Sequence, residues 1–170
     1  MSLGFVFPGQ GSQSIGMLKE LAADFVEVKN TFDEASEVLN LDLWQLTQDG
    51  PEEALNQTQN TQPAMLAAGV AVWRVWLHKQ GNTATVMAGH SLGEYTALVC
   101  AGAMQFGDAI SLVADRGRFM QEAVPAGQGA MAAIIGLDNA AVSAVCEKAA
   151  EGDVLSPVNF NAPGQAVIAG

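Results

Sequence analysis

Residues 3–7 form a short apolar run stopped by Pro8-Gly9, a pattern that predicts a buried strand. A loop of small and polar residues, Gly9-Gln10-Gly11-Ser12-Gln13, follows it. Over 17–39 the apolar positions recur at helical spacing, in one or two pieces. Pro51 opens a short helix with Glu52 and Glu53 in its first turn, where carboxylates suit the helix dipole. The clearest long helix is predicted over 61–80. Thr61 caps it, Pro63 fits its first turn, and Gly81-Asn82 ends it. Between these ends, Met65, Ala68, Val72, Val75 and Trp76 recur at steps of three and four. A short strand over 85–88 leads at once into Gly89-His90-Ser91-Leu92-Gly93 and a helix to about residue 101. A further helix over 107–123 stops before Pro125.

Past Pro125 the pattern becomes strand (130–135), helix (139–150), strand (154–158) and strand (166–169), that is β-α-β-β. A ferredoxin-like unit is β-α-β-β-α-β. The pattern therefore predicts two segments, 1–124 and 125–170, with the second stopping halfway through such a unit in a fragment of a longer protein. The alternative is a complete small β-α-β-β lobe.

The length, 170 residues, allows one domain of ordinary size. With 49% apolar and 15% charged residues, the chain is globular rather than disordered. The net charge of −11 and seven scattered basic residues exclude a nucleic-acid-binding stripe. No local basic patch for an anionic partner shows in the sequence. Cys100 and Cys146 sit among alanines and valines and read as buried, reduced thiols rather than a disulfide framework. No basic region precedes an N-terminal apolar stretch, and no apolar run is long enough to span a bilayer. No membrane association is expected, and the expected compartment is the cytoplasm.

The pentapeptide at Ser91 fits G-x-S-x-G between a strand and a helix, the setting of a nucleophile elbow. Glycines two residues either side of the serine remove Cβ atoms that would collide with the adjoining strand and helix. The hydroxyl is then lifted above the strand end, beside the free N–H groups of a helix N-terminus. The Leu92 N–H is positioned to bind an oxyanion, and losing one such donor typically costs about 2.7–4 kcal/mol of transition-state stabilisation. The alternative is an ordinary β-turn-α with a serine N-cap. A second donor is expected from Gly9-Gln10-Gly11, which in a parallel sheet emerges at the same edge as Ser91. This loop is not a dinucleotide fingerprint, because Ser14 stands where the third glycine belongs.

On the helix over 107–123, Ala109, Leu112, Val113 and Met120 mark the apolar stripe, and Arg116 falls inside it by spacing. Arg118 pairs by spacing with Asp115 and Glu122 on the polar face. A cleft-facing arginine needs an anionic partner, and its planar fork matches a carboxylate. Arg116 is thus a candidate receptor for a substrate carboxylate. A structural salt bridge or a side chain snorkelling to the surface satisfies the same spacing.

Five motifs in order resemble the bacterial malonyl-CoA:acyl carrier protein transacylases, over the whole chain. They are Phe7-Pro8-Gly9-Gln10-Gly11-Ser12-Gln13, Thr61-Gln62-Pro63-Ala64, Gly89-His90-Ser91-Leu92-Gly93-Glu94, Arg116-Gly117 with Met120, and Asn159-Phe160-Asn161 with Pro163-Gly164-Gln165. The resemblance implies an α/β fold, an α/β-hydrolase-like parallel-sheet core with an inserted ferredoxin-like lobe, both incomplete here. It implies transfer of a malonyl group from malonyl-CoA to acyl carrier protein in fatty-acid synthesis, with no cofactor. Ser91 matches the nucleophile, the amides of Gln10 and Leu92 the oxyanion hole, and Arg116 the arginine that grips the malonyl carboxylate. Gln62 matches a glutamine near the cleft, and His90 is expected to line it. The resemblance places the catalytic histidine in a second half that these residues do not reach. Of the two histidines, His90 diverges from its neighbour Ser91 and His78 sits near a helix end. The segment is therefore expected to be inactive and unstable alone. Rival readings are a serine thioesterase or hydrolase, and a non-catalytic fragment that binds acyl carrier protein.

Overall fold

A computed structural model describes residues 2–124 and 127–170 of the chain. Two compact units divide it, Met1–Gln121 and Glu122–Gly170. Pro125, the expected stop of a helix and start of the second segment, lies outside the described residues.

The first unit opens with β1 (Gly4–Phe7), then α1 (Lys19–Asp24), α2 (Val26–Leu39), α3 (Leu43–Asp49), α4 (Glu52–Leu55) and α5 (Thr58–His78). It continues with β2 (Val86–Gly89), α6 (Leu92–Cys100) and α7 (Phe106–Ala123). β1 and β2 pair in parallel, with Phe7 opposite Gly89, so the loops that follow the two strands leave at one sheet edge. Phe5 meets Trp73 and Trp76 edge-on, at ring separations of 5.0 and 5.4 Å, and so ties the sheet to α5.

α5 is the axis of the core. Leu66, Ala67 and Ala71 are fully buried, packed among Val28, Phe32 and Ala35 of α2, Leu43 of α3, Leu55 of α4, Leu92 of α6 and Ile110 and Val113 of α7. The expected stripe of Met65, Ala68, Val72, Val75 and Trp76 is therefore too narrow. The helix is enclosed on most sides, while Val72 and Trp76 are exposed. Its start also differs from expectation. Gln57, not Thr61, is the cap, and Pro63 lies inside the helix. The buried Thr61 hydroxyl donates to Leu55 O at 2.6 Å and Gln57 O at 3.1 Å, fastening the α4–α5 junction rather than starting the helix. α3 has no counterpart in the expected elements. Asp42 caps it by accepting from Gln45 N at 2.8 Å.

The second unit is β3 (Met131–Ile135), α8 (Asn139–Ala149), β4 (Ser156–Ala162) and β5 (Gln165–Ala169). The strands form an antiparallel sheet in the order β3-β5-β4. Val142 and Cys146 of α8 pack on Ala166 with Ile134, Leu155 and Ile168 around them. Asp138 caps α8, accepting from Ala141 N at 2.7 Å. Among the described residues, no helix is long and apolar enough to cross a membrane.

Both cysteines are free; Cys146 is buried and Cys100, closing α6, is partly so. Burial pushes the Cys100 thiol up to about 12, against the opposing pull of the Arg74 guanidinium. An unfolded thiol ionises at about 8.5. Between those values the native chain keeps a proton that the unfolded chain has released, so stability declines as pH rises through that window. Urea unfolding of the wild type should therefore weaken between mildly and strongly alkaline pH more than that of Cys100→Ala. Alkylation of native Cys100 at neutral pH as fast as that of a free thiol contradicts this.

Candidate active site

β2 ends at Gly89, α6 begins at Leu92, and Ser91 sits between them with φ 53° and ψ −111°. A non-glycine residue in such a conformation costs about 1–3 kcal/mol, so the surroundings must enforce it. They do so by close backbone approach. A Cβ on Gly89 would fall 2.0 Å from the Gly93 carbonyl, and one on Gly93 would fall 2.2 Å from Phe7 O. A Cβ on Gly9 would come within 3.0 Å of His90 O. The exit of β1 therefore runs directly against the turn that carries Ser91. Leu92 is buried and anchors the first turn of α6 beneath it.

Ser91 stands at the N-cap position of α6, but its side chain makes no capping hydrogen bond. Its exposed Oγ instead accepts from Arg116 Nη2 at 2.9 Å. Arg116 Nη1 donates to Gln62 Oε1 at 2.7 Å, and Gln62 Nε2 donates to Met120 Sδ at 3.3 Å. Gln62 is 0% exposed, with both ends of its amide engaged. Arg116 also stacks over Tyr95, 5.7 Å from the ring centroid. Gly117 makes the approach possible, because a Cβ there would fall 2.6 Å from Thr58 O and Gln59 Cα. The bare turn of α7 presses on the start of α5 and brings Arg116 to Gln62.

The expected stripe on α7 is corrected by one face. Leu112 and Met120 are nearly half exposed, and the buried line is Phe106, Ala109, Ile110, Val113 and Gly117. Arg116 stands beside that line, half-buried, rather than within it. No carboxylate pairs with it among the described residues, so the structural salt bridge fails, whereas Arg118 pairs with Asp115 at 3.0 Å as expected.

Gln10 lies in the loop after β1, and its Nε2 donates to Thr58 Oγ1 at 3.3 Å. Among the described residues no hydrogen bond engages the backbone N–H of Gln10 or of Leu92. His90 is exposed beside the serine, without a hydrogen bond to it among the described residues. His78 is away from the site, with its Nδ1 against the Glu27 carboxylate. No cluster of histidine, cysteine and acidic side chains suited to a metal occurs among the described residues. Tyr95, Thr58 and the sulfur contact of Met120 are site contacts that the sequence reading did not single out. Only the place of Met120 in its motif pointed to any of them.

An exposed hydroxyl on a strained turn, held by a guanidinium and followed by an amide, that of Leu92, without a partner among the described residues, is suited to attack a carbonyl. The family described as "Acyl transferase domain" matches residues 4–170. The chain is 64% identical over 166 residues to a malonyl CoA-acyl carrier protein transacylase of Salmonella typhimurium, covering 98% of this chain and 54% of that protein. It is similar to the crystal structure of an acyl carrier protein S-malonyltransferase from Vibrio cholerae, with TM-score 0.93 and 62% identity over 100% of this chain and 56% of that one. It is also similar to a malonyl-transacylase solved in complex with its type II PKS acyl-carrier protein, with TM-score 0.95 and 60% identity over 100% of this chain and 55% of that one. The chain thus spans about half the length of the relatives it matches.

The backbone contacts at the elbow give a direct stability test. Gly93→Ala, forced against Phe7 O, should destabilise the chain by about 1–3 kcal/mol in urea unfolding. Gly107→Ala, whose new methyl meets only Val38 Cγ2 at 3.6 Å, should be neutral or stabilising by up to about 1 kcal/mol. Equal effects at both positions contradict the close approach.

Proposed function

The chain belongs to the acyl transferase domain family, and from that premise we propose that it carries the nucleophile half of a malonyl-CoA:acyl carrier protein transacylase. The observation that carries the reading is the Arg116 guanidinium, 2.9 Å from Ser91 Oγ and without a carboxylate partner among the described residues. A cation beside the nucleophile favours an acyl group that brings its own anion.

In the proposed cycle, Ser91 Oγ attacks the thioester carbonyl of malonyl-CoA and gives its proton to a general base. The negative charge that develops on the carbonyl oxygen is taken by the N–H groups of Gln10 and Leu92. Collapse of the tetrahedral intermediate breaks the C–S bond, and the coenzyme A thiolate leaves with the proton from the base. The thiol of acyl carrier protein then attacks the malonyl-serine, and the same steps run in reverse order to regenerate Ser91. Neither His78 nor His90 is hydrogen-bonded to Ser91 among the described residues, so the base is assigned to a histidine beyond these 170 residues.

Arg116 holds the malonyl carboxylate as a planar fork. Gln62 accepts from Arg116 through a neutral amide oxygen. It orients the guanidinium without cancelling its charge, as a carboxylate at this position would. Gln62 is therefore a positioning residue rather than a direct substrate contact, while His90 is left to line the cleft. The parallel β1–β2 pair with its elbow supports an α/β-hydrolase-like core over 1–124. The β-α-β-β unit, with its third strand between the first two, supports the start of a ferredoxin-like lobe over 125–170. The proposed compartment is the cytoplasm, where both cysteines stay reduced.

The test is acyl selectivity in the intact protein, scored as acyl group appearing on the carrier thiol. Arg116→Ala should cut malonyl transfer by about 100-fold, the scale of a lost charge-assisted pair, and spare or improve acetyl transfer. Equal loss for both acyl groups contradicts the role. Release of malonate into water as fast as transfer to the carrier favours a thioesterase instead.

A further inference from the structure

Ser12 and Gln13 belong to the loop after β1 but have no part in the chemistry proposed above. They are nevertheless the residues that fix the loop's shape. Ser12 Oγ donates to Gly9 O at 3.1 Å. That carbonyl shares a planar peptide with the Gln10 N–H, and in a trans peptide the two point in opposite directions. Gripping the oxygen on one side therefore aims the N–H on the other. The next peptide is fixed separately, because the Gly11 N–H donates to Gln13 Oε1 at 2.8 Å. Gln13 Nε2 in turn donates to Asn56 Oδ1 at 2.8 Å, at the C-terminal end of α4 (Glu52–Leu55). The loop is thus tied to the same α4–α5 junction that carries Thr58 and Gln62.

The backbone does not supply this order itself. Gly11 has φ +110°, a region open to glycine, and a Cβ there would meet nothing within 4 Å. The orientation of two successive peptides therefore rests on two side chains. Of the two amides, the Gly11 N–H is taken by Gln13, whereas the Gln10 N–H has no hydrogen-bond partner among the described residues.

We propose that Ser12 and Gln13 are positioning residues that aim the Gln10 backbone N–H at the carbonyl oxygen that becomes negative when Ser91 attacks the acyl group. The proposal rests on the acyl-transfer reading for its chemistry, but not for its structural content. An oxyanion donor contributes only once charge has developed, so a misaimed donor lowers kcat and leaves KM nearly unchanged.

The experiment compares Ser12→Ala, Gln13→Leu and Asn56→Ala with two conservative variants, Ser12→Thr and Gln13→Glu, in the intact protein. Gln13→Glu keeps the acceptor for the Gly11 N–H, and the Asn56 amide can turn to donate to it. Amide relaxation by NMR is read at residues 9–11 together with kcat and KM for malonyl transfer. In Ser12→Ala and Gln13→Leu the backbone order parameters should fall from about 0.85 towards 0.6. In the same two variants kcat should fall about 10- to 100-fold, part of the loss seen when a donor is removed outright. KM should stay within about twofold of wild type, and Gln13→Glu and Ser12→Thr should recover most of kcat. Asn56→Ala, outside the loop, should show a smaller loss of the same kind, and it stands in if a loop variant fails to fold. Unchanged order parameters, a loss confined to KM, or a Gln13→Glu variant as impaired as Gln13→Leu overturns the proposal. If the wild type transfers no malonyl group, the functional reading fails. The order parameters then decide alone: loosened peptides uphold the positioning and unchanged ones overturn it.

Discussion

Between the end of β1 and the start of α6 there is no room for a side chain. The Gly93 position lies so close to Phe7 O that a methyl group there would overlap it, and Gly89 abuts the carbonyl of Gly93 in the same way. Two backbones in this contact leave Ser91 one conformation, in a region that residues other than glycine avoid. The rest of the site follows. The parallel register sends both loops out at one edge, and Gly9 lies against His90, the residue before the serine. The strain at Ser91 is offset by the packing of α6 on the core through Leu92.

The electrostatics at the site are arranged around one cation. The chain carries a net charge of −11, yet the nearest charge to Ser91 Oγ is the Arg116 guanidinium. That cation is held by groups that leave its charge intact: a buried amide, a thioether behind the amide, and an aromatic face. Close helix contact at Gly117 makes the arrangement possible, so the selectivity proposed for the site depends on a packing feature of α5 and α7. An acidic chain gains little general attraction for an anionic thioester, so the recognition proposed here rests on this local device.

Much of the framework is legible in sequence because it depends on local pattern. The apolar runs over 3–7 and 85–88 give β1 and β2. Pro51 gives α4, and the elbow reads from two glycines and a serine. What is not legible depends on residues far apart in the chain. Gln62 and Arg116 lie 54 positions apart, and nothing in either helix's spacing foretells their hydrogen bond. At the start of α5, Thr61 and Pro63 imitate a capping pattern, while the hydrogen bond of Thr61 to Leu55 belongs to a helix that begins further back. On α7, Leu112 and Met120 fit the apolar period but face away from the core, and Gly117 is buried in their place. α3 spans only seven residues, too few for a helical period to show, and its cap Asp42 stands between two leucines, Leu41 and Leu43. The carboxylate-binding role proposed for Arg116 rests on the family resemblance, since spacing alone favours a structural salt bridge or a snorkelling side chain.

Peptide mapping of the intact protein after brief exposure to malonyl-CoA tests the central claim most directly. The account predicts a malonyl group on the peptide containing Ser91, stable in water, discharged on adding acyl carrier protein, and absent from Ser91→Ala. A malonyl group on another residue, or an unchanged adduct in Ser91→Ala, contradicts it.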